Sequence, residues 1–459
     1  MKIENKIIDK YNIPVPRYTS YPPANHFKDG FSEKDYISLV KDSNDQQPSH
    51  VAIYIHIPFC KKICFYCGCN ACTMKSEQLI KEYIQALKKE ISFIVKSINK
   101  ERKISQIHYG GGTPNAIDVN YLKEINSLIF SELELIENPE IAIECNPAYL
   151  NYTYIDQLLE AKFNRFSLGV QDFNLDVLKS VNREPSVLPV HDLVSYIKSK
   201  NSEIAVNLDF IYGLPGQNTE SFLNTISEAI KIKPDRLVTF SYAHVPWMKK
   251  HQQILEKRGL PSSELKMEMF LEARELLLKS GYIPIGLDHY VLAEDELNLA
   301  LNQHSLHRNF QGYCTRRTTG QVYAFGVSSI SQLEKAYIQN VKELDQYIEM
   351  INNDTLPVEK GLILNHEQVV VRDAITELMC NQKLNLEDLA HKFNIGINEL
   401  KDITGFQEEK LKDFIRDKLM TFSNSEMIVT DLGSLFVRNI AASLDPEYKQ
   451  QLNKYSKTV

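Results

Sequence analysis

The sequence predicts an α/β protein built around a parallel sheet, and three observations support this prediction. Between residues 51 and about 290, short β-branched apolar runs alternate with longer segments whose apolar residues recur every three or four positions. This alternation of strand and helix repeats six times, as in right-handed βαβ crossovers. On either side the pattern changes, which predicts an N-terminal arm before the sheet and a small helical domain after it.

The elements of the alternating region follow one another in a regular order. The first apolar run, Val51–Ile57, has the composition of a strand that is buried on both faces. The other strands are predicted at 104–109, 141–145, 166–170, 204–211 and 237–242, and the helices at 80–98, 119–130, 152–162, 188–198, 220–230 and 264–279. The count favours a partial (β/α)6 barrel over residues 51–300, although an open doubly wound sheet fits the periodicity nearly as well.

The segments outside this region have other patterns. Residues 1–50 contain Pro14, Pro16, Pro22 and Pro23 and are predicted to be an ordered arm with little regular structure. Residues 301–360 are predicted to close the barrel near its active site. Residues 361–459 show helical periods at 369–379, 385–393 and 406–420, with a short β-like stretch at 427–429.

Composition and charge argue against some classes of protein. The chain carries 52 Lys and Arg against 59 Asp and Glu, and its formal net charge of −7 is unlike that of a nonspecific nucleic-acid binder. No apolar run approaches the ~18 residues that a membrane span needs. The N-terminus has no apolar stretch of the kind found in secretory signals. We therefore expect a cytoplasmic protein with neither a nucleic-acid nor a membrane partner.

Five of the eight cysteines lie within thirteen residues, at positions 60, 64, 67, 69 and 72. Such a tight group in a long chain indicates metal binding rather than a disulfide framework. The spacing of Cys60, Cys64 and Cys67 offers three thiolates to an iron–sulfur cluster and leaves one iron of a cubane open, unless Cys69 supplies the fourth ligand. The alternative is a structural zinc site, but no second cysteine or histidine pair follows at the usual spacing.

The Cys-x3-Cys-x2-Cys run just after the first predicted strand resembles that of the radical S-adenosylmethionine (radical SAM) superfamily. This resemblance implies that Cys60, Cys64 and Cys67 hold a [4Fe-4S] cluster whose fourth iron is chelated by S-adenosylmethionine. It also implies a full or partial (β/α) barrel. Eight further runs, in the right order, resemble the oxygen-independent coproporphyrinogen III oxidases of heme synthesis. These runs are 16–22, 54–60, 65–70, 110–114, 169–173, 181–184, 209–215 and 307–313.

The family resemblance implies roles for individual residues of this chain. The glycine turn would present backbone to the methionine part of S-adenosylmethionine, because glycine lets a ligand approach closely. The aromatic residue before the third cysteine would lie against the adenine. The implied cofactor-binding residues are Tyr54, Tyr66, Gly111, Gly112, Thr113, Glu144, Gln171, Arg183, Asp209, Ala243 and Ile330. The implied catalytic residues are His56, Cys69, Phe310 and Gln311, and the family pattern leaves the physical role of Cys69 open.

The implied reaction converts two propionate groups of coproporphyrinogen III into vinyl groups, giving protoporphyrinogen IX. The reduced cluster would cleave S-adenosylmethionine, and the resulting radical would remove hydrogen from the propionate β-carbon. An external electron donor and acceptor are then required. The substrate carries four carboxylates, so cationic partners are expected, and Arg17 and Arg308 are the candidates. A monomer is expected.

Two alternatives remain at this point. The first is a heme chaperone of the same superfamily, which Cys69 and the arm residues 17–21 argue against. The second is a helix-turn-helix DNA reader in the C-terminal helices. Glu408, Glu409 and Asp413 interleave there with Lys410 and Lys412, so the second helix does not present a basic face.

Overall fold

The computed structural model of the protein describes residues 4–315 and 321–448. Its centre is a sheet of thirteen strands, seven of which are parallel neighbours. In chain order these are β1 (Val51–Ile57), β2 (Ile104–Gly111), β3 (Leu135–Cys145), β4 (Arg165–Gln171), β5 (Ala205–Tyr212), β6 (Arg236–Ser241) and β7 (Gln321–Phe325). Across the sheet the order is β7-β1-β2-β3-β4-β5-β6. The predicted α/β class and its partial barrel of parallel strands are thereby confirmed.

Antiparallel strands continue the sheet at both ends. Beyond β6 lie His289–Val291 and Ile283–Ile285, and beyond β7 lie Ile330–Leu333, Ala336–Asn340, Val358–Ile363 and Lys28–Asp29. Among the described residues the two outermost strands do not pair with each other, so the sheet is open. Short two-stranded pairs form at Phe59–Cys60 with Cys72–Thr73 and at Leu306–Asn309 with Gly312–Thr315.

Helices cover the sheet because their apolar residues recur with helical spacing. The first of them, Glu77–Val95, begins where Ser76 accepts a hydrogen bond from the backbone of Leu79, and it buries Ile80, Tyr83 and Leu87 among others. The others in this region are Val119–Glu132, Tyr152–Glu160, Leu175–Ser180, Val190–Lys200, Thr219–Ile232, Gln253–Glu256, Ser263–Lys279, Glu296–Asn302 and Leu344–Asn352. Among the described residues, no helix is both long enough and apolar enough to cross a membrane.

Strand β7 was not predicted. It has only five residues, and its place beside β1 depends on parallel pairing, with Val322 opposite Ala52 and Tyr323 opposite Ile53. No local periodicity reveals a pairing with a strand so much earlier in the chain. The observed sheet therefore has one more parallel strand than the pattern of residues 51–300 indicates.

The N-terminal arm contains two helices, Asn5–Tyr11 and Glu33–Asp42, so the prediction of little regular structure was wrong for these residues. The second helix begins with a capping box, in which Ser32 and Asp35 satisfy each other's backbone amides. It buries Tyr36 and Val40, and the Tyr36 hydroxyl lies 2.9 Å from Ser331 Oγ. The apolar pattern of this short helix is too weak to predict it from the sequence, and its contacts with the sheet stabilise it.

The C-terminal region combines helices with a small sheet. The helices are His366–Asn381, Leu386–Lys392, Ile397–Thr404, Glu408–Arg416, Asp431–Ser434 and Val437–Ala442, and the strands are Lys383–Asn385, Met420–Ser423 and Glu426–Val429. The helix predicted over 406–420 ends earlier, because Lys418 has a left-handed backbone (φ 58°) and Met420 begins a strand. The predicted helical character of this region is present, and the strand Glu426–Val429 contains the predicted β-like stretch. The other two strands were not predicted.

The C-terminal region holds the N-terminal arm in place. The hydroxyls of Tyr18 and Tyr21 donate to the carboxylate of Asp445 over 2.9 and 3.1 Å. Arg438 donates to the carbonyl oxygens of Pro16 (3.1 Å) and Val15. These contacts fix the backbone on both sides of Arg17.

A fully buried carboxylate, Glu90, ties the helix Glu77–Val95 to the loops after β7. It accepts hydrogen bonds from Gly326 N (2.8 Å), Asn340 Nδ2 (2.6 Å) and Tyr347 Oη (2.5 Å). Burial nevertheless raises the pKa of Glu90 from 4.5 to about 7. The folded protein therefore holds this proton more tightly than the unfolded chain does.

We predict that Glu90→Gln lowers the free energy of unfolding by roughly 1–3 kcal/mol, because one of the three donors then faces an amide NH2. In the wild type the stabilising effect of the raised pKa is complete below pH 4.5 and declines as the pH rises to about 7. Urea unfolding across this range should show that decline in the wild type and not in the variant. Glu82→Gln, on the exposed face of the same helix, is the control. An unchanged pH dependence in Glu90→Gln would contradict the prediction.

Candidate active site

The cysteine loop, residues 58–72, follows β1 at the carboxyl end of the parallel sheet. Cys60 and Cys64 are buried, Cys67 is half-buried and Cys69 is exposed, and none of them forms a disulfide. The loop turns tightly, since the Cys67 amide donates to the Cys64 carbonyl over 3.1 Å. Asn182 Nδ2 anchors it from outside by donating to the Ile63 carbonyl over 2.8 Å.

A second anchor is the 249–252 segment, which follows β6. Lys249 Nζ donates to the Cys69 carbonyl (2.7 Å), and His251 Nε2 donates to the Cys67 carbonyl (2.8 Å). Gln252 Nε2 donates to the Tyr66 carbonyl over 2.9 Å. The carbonyls of Tyr66, Cys67 and Cys69 are thus held by side chains about 180 residues later in the chain. Sequence reasoning missed these residues, and the only signal was the polar run 249–252, which begins seven residues after the predicted strand 237–242.

The thiols have distinct electrostatic surroundings. Cys60 Sγ lies 3.2 Å from Thr113 Oγ1, and burial raises the pKa of Cys60 to about 11. A hydrogen bond from the Cys69 thiol lowers the pKa of Cys67 to about 6. Arg183 Nη1 lies 3.8 Å from Cys64 Sγ. A hydrogen-bond donor therefore lies near each of the three sulfurs, as expected of sulfurs that bind a metal.

Within residues 4–315 and 321–448, no three His, Cys, Asp or Glu side chains are arranged as ligands of a single metal ion. The zinc alternative requires such an arrangement. A cubane cluster differs, because each thiolate binds a different iron and the sulfurs need not converge on one point.

The end of β2 forms a glycine turn that lies directly against the end of β1. Gly111 has a φ of +115°, and a Cβ there would lie 2.6 Å from the ring of His56. A Cβ on Gly112 would lie 2.5 Å from the Pro58 carbonyl oxygen. The amide of Gly112 donates to Ile57 O (2.8 Å), and that of Thr113 donates to Phe59 O (3.0 Å). Only glycine permits this close approach of the turn to the cysteine loop.

His56 connects β1 to the far end of the cysteine loop. Its Nε2 lies 2.9 Å from the Asn70 carbonyl and must donate to it, so its Nδ1 accepts from Tyr54 Oη over 3.1 Å. Burial lowers the pKa of His56, which keeps the ring neutral. The ring of Tyr54 stacks on His108, whose Nε2 lies 3.0 Å from Glu144 Oε1. Tyr54, His56 and Glu144 therefore belong to one connected group.

Asp209 lies on β5 between two polar neighbours. Ser167 Oγ donates to Asp209 Oδ2, and Asn207 Nδ2 donates to Asp209 Oδ1, both over 2.7 Å. Burial raises the pKa of Asp209. Asp209 does not cap the turn after β5, since its side chain accepts hydrogen bonds from residues of β4 and β5.

Gln171 and Arg183 carry buried polar atoms that have no hydrogen-bond partner among the described residues. These atoms are Gln171 Oε1 and Arg183 Nε. Gln171 also has a left-handed backbone with a φ of 72°, and Arg183 donates to the Gly169 carbonyl. Buried polar atoms without partners are costly, so these two point to a ligand.

The structure does not bring every predicted residue to the cysteine loop. Phe310 and Ile330 pack in an apolar cluster with Phe27 and Tyr337. The Gln311 amide donates to Asn309 Oδ1 over 2.9 Å. No hydrogen bond or ring contact among the described residues joins Phe310, Gln311 or Ile330 to the loop. Ala243 is adjacent to it, because Gln252 Nε2 donates to both Ala243 O (3.3 Å) and Tyr66 O.

Comparison with known proteins shows which proteins this chain resembles. Residues 54–229 match the family model described as the radical SAM superfamily. An oxygen-independent coproporphyrinogen III oxidase from Synechocystis is 35% identical, over 98% of this chain and 96% of that protein. One from Helicobacter pylori J99 is 35% identical, over 100% and 99%. The solved coproporphyrinogen III oxidase (HemN) from Escherichia coli, described as a radical SAM enzyme, superposes with a TM-score of 0.88 at 32% identity, over 98% of this chain and 100% of that one.

Proposed function

The chain belongs to the oxygen-independent coproporphyrinogen III oxidases, a family of the radical SAM superfamily, and on this premise we propose what it does. It converts two propionate side chains of coproporphyrinogen III into vinyl groups and so produces protoporphyrinogen IX. The observation that carries the proposal is the meeting of three sets of residues at one sheet edge. These are the thiols of the cysteine loop, the glycine turn of β2 and the partnerless atoms of Gln171 and Arg183.

We propose that Cys60, Cys64 and Cys67 hold a [4Fe-4S] cluster. The donor set fits, because three unpaired thiols on one tight turn each have a hydrogen-bond donor nearby. With S-adenosylmethionine, the cluster supplies the one-electron chemistry that removes hydrogen from an unactivated carbon. The chain's own residues position the reactants and keep water away.

The glycine turn is proposed to bind the methionine part of S-adenosylmethionine. The backbone amides of Gly112 and Thr113 already donate hydrogen bonds to the carbonyls of Ile57 and Phe59, so they are not free for the ligand. The Gly112 carbonyl oxygen accepts no hydrogen bond from any described residue, and it therefore suits the ammonium group of the ligand. Gly111 makes this approach possible because it has no side chain to meet His56.

The remaining polar residues are proposed to hold the other parts of the same ligand. Arg183 Nε suits a carboxylate, and Gln171 Oε1 accepts a hydrogen bond. Asp209 and Glu144 are suited to ribose hydroxyl or amine groups, and Glu144 is close enough to Asp209 to contribute to the rise in the pKa of Asp209. Tyr66 and Ala243 supply apolar or backbone contacts, and the support is that Gln252 Nε2 donates to the carbonyls of both residues. For Ile330 the family resemblance alone supports such a contact.

Four residues are proposed to act in the reaction itself. His56, held neutral, positions Asn70 at the end of the cysteine loop. Phe310 and Gln311 lie on the hairpin formed by Leu306–Asn309 and Gly312–Thr315, which also holds the arm, since Arg308 Nη1 donates to the Arg17 carbonyl over 3.1 Å. We infer that this hairpin borders the substrate. The fourth residue is Cys69, beside Cys67.

For Cys69 we predict that replacement by alanine leaves the cluster in place and slows turnover. The cluster has its three cysteine ligands without Cys69. The variant nevertheless loses the hydrogen bond from Cys69 to Cys67, and loss of a hydrogen bond to a metal ligand typically lowers activity by roughly 10–100-fold. Iron and sulfide content of the reconstituted variant and its rate of decarboxylation are the measurements. Cys72→Ala, outside the motif, is the control. Loss of iron from Cys69→Ala would make Cys69 a ligand and contradict the prediction.

The proposed function is tested by incubating reconstituted protein anaerobically with coproporphyrinogen III, S-adenosylmethionine and a reductant. Protoporphyrinogen IX should form only when S-adenosylmethionine is present. A heme chaperone would instead bind heme stoichiometrically and form no protoporphyrinogen. Cleavage of S-adenosylmethionine by an intact cluster without this product would overturn the proposal. From the composition of the chain we also infer a cytoplasmic protein. The proposed reaction requires an external electron donor and acceptor, and a monomer stays our expectation.

A further inference from the structure

A cavity of about 360 Å³ lies at the carboxyl ends of β5 and β6, beside the predicted active site. One wall is the helix Ser263–Lys279, and another is the turn 286–289. The arm contributes Arg17, and the C-terminal region contributes Arg438. Residues from four separate parts of the chain thus enclose it.

The walls of this cavity are strongly cationic. Arg17, Lys266, Arg274 and Arg438 all line it, whereas Asp288 is the only acidic side chain among the described lining residues. Asp288 is already bound to His289, at 2.7 Å. Four cationic side chains therefore line this cavity, in a protein whose formal net charge is −7.

Of the four cationic residues, Arg274 gives the strongest indication of an anionic ligand. The residue is only 8% exposed, and its guanidinium lines the cavity. No hydrogen bond or ion pair with another described residue holds it there, and a guanidinium so far from bulk water is costly to keep without an anionic partner. Such a group is retained where a ligand supplies the partner.

Lys266 faces the cavity from the same helix. Its Nζ donates to the Tyr242 carbonyl over 3.0 Å, which leaves two of its three hydrogens for a ligand. Its stem packs against Gly213, where a Cβ would lie 2.7 Å from Lys266 Cε. Burial, with a smaller contribution from Arg17, lowers the pKa of Lys266 to about 8, and an anion in the cavity would reverse this.

Two walls connect the cavity to the active site. Ala243 lines the cavity, and Gln252 links its carbonyl to that of Tyr66 in the cysteine loop. His289 lines it too and is close enough to Asp209 to oppose the rise in the pKa of Asp209 that burial causes. A ligand that reaches the cysteine loop at one end can therefore place another end in the cavity.

We propose that this cavity binds the propionate carboxylates of the substrate that are not decarboxylated. The inference rests on the proposed function and names residues for its substrate. The cavity is too small for a tetrapyrrole with its eight substituents, but it accommodates one or two carboxylate side chains. Arg274 and Lys266 bind the carboxylates, and Arg438 positions Arg17 by holding the carbonyls of Val15 and Pro16.

The test is equilibrium binding of coproporphyrin III, the air-stable oxidised form that keeps all four propionates. Arg274→Met and Lys266→Met should each weaken binding by about 10-fold to 100-fold, the size expected for a hydrogen bond between charged groups. The tetramethyl ester of coproporphyrin should bind all proteins alike. Arg416→Met and Lys279→Met are matched controls, because their side chains are 66% and 72% exposed. Arg274→Lys should recover part of the affinity.

Unchanged affinity in both methionine variants would overturn the inference. So would an equal loss of affinity for the ester, which would indicate a packing defect. A loss of S-adenosylmethionine cleavage without substrate, as large as the loss of porphyrin affinity, would assign the cavity to the carboxylate of the cofactor instead. These outcomes are distinguishable from a failure of the proposed function, which would appear as the absence of decarboxylation by the wild-type protein.

Discussion

Replacing Cys64 with alanine is expected to abolish iron binding and reduce decarboxylation to background. Cys64 is buried on the tight turn of the cysteine loop, and Arg183 Nη1 lies 3.8 Å from its sulfur. No other described thiol is available at that position, since Cys60 lies against Thr113 and Cys67 against Cys69. A cluster held by three cysteines does not tolerate the loss of one.

Iron and sulfide content, the visible absorbance of the cluster and the yield of 5′-deoxyadenosine measure this effect. Cys380→Ala is the matched control, because Cys380 is as deeply buried but lies in the helix His366–Asn381. That variant should lose some stability and keep its cluster. Full iron content and activity in Cys64→Ala would show that the ligand set has been assigned wrongly.

Replacing Gly111 with alanine is expected to lower S-adenosylmethionine cleavage by about 100-fold or more, since a displacement of about 1 Å at a reacting centre has that effect. The new Cβ would lie 2.6 Å from the His56 ring, on a backbone with a φ of +115°. His56 cannot easily move, because Tyr54 and the Asn70 carbonyl hold both of its ring nitrogens. The turn must therefore shift away from the cysteine loop.

The affinity for S-adenosylmethionine, measured by calorimetry, and the rate of its cleavage test this expectation. Gly281→Ala separates backbone strain from crowding, because Gly281 also has a positive φ (+88°) but nothing lies within 4 Å of its Cβ position. Both variants bear the strain of the left-handed backbone, roughly 1–3 kcal/mol. If Gly111→Ala behaves like Gly281→Ala in affinity and rate, the close approach of the turn has no function.

The parallel sheet was predictable because its signals are local. Val51–Ile57 is apolar throughout, and the helix Glu77–Val95 repeats its apolar residues every three or four positions. Strand β7 carries no such signal, since its five residues become a strand only through pairing with β1. The helix Glu33–Asp42 likewise depends on packing against the sheet through Tyr36.

The motifs of the site were predictable from the sequence, whereas the residues that hold the cysteine loop in place were not. The spacing of Cys60, Cys64 and Cys67 indicates a cluster without any knowledge of the fold. The contacts of Lys249 and His251 with the loop depend on how β6 is placed beside β5, which no spacing reveals. The same holds for Arg274 and Arg438, which meet at one cavity only after the C-terminal region has docked.

We propose that this chain removes hydrogen from the propionate β-carbon of coproporphyrinogen III. The most direct test uses substrate deuterated at that carbon, with the reconstituted protein, S-adenosylmethionine and a reductant under anaerobic conditions. We predict deuterium in 5′-deoxyadenosine together with protoporphyrinogen IX. Unlabelled 5′-deoxyadenosine alongside the product, or labelled substrate returned intact while S-adenosylmethionine is consumed, would contradict the account.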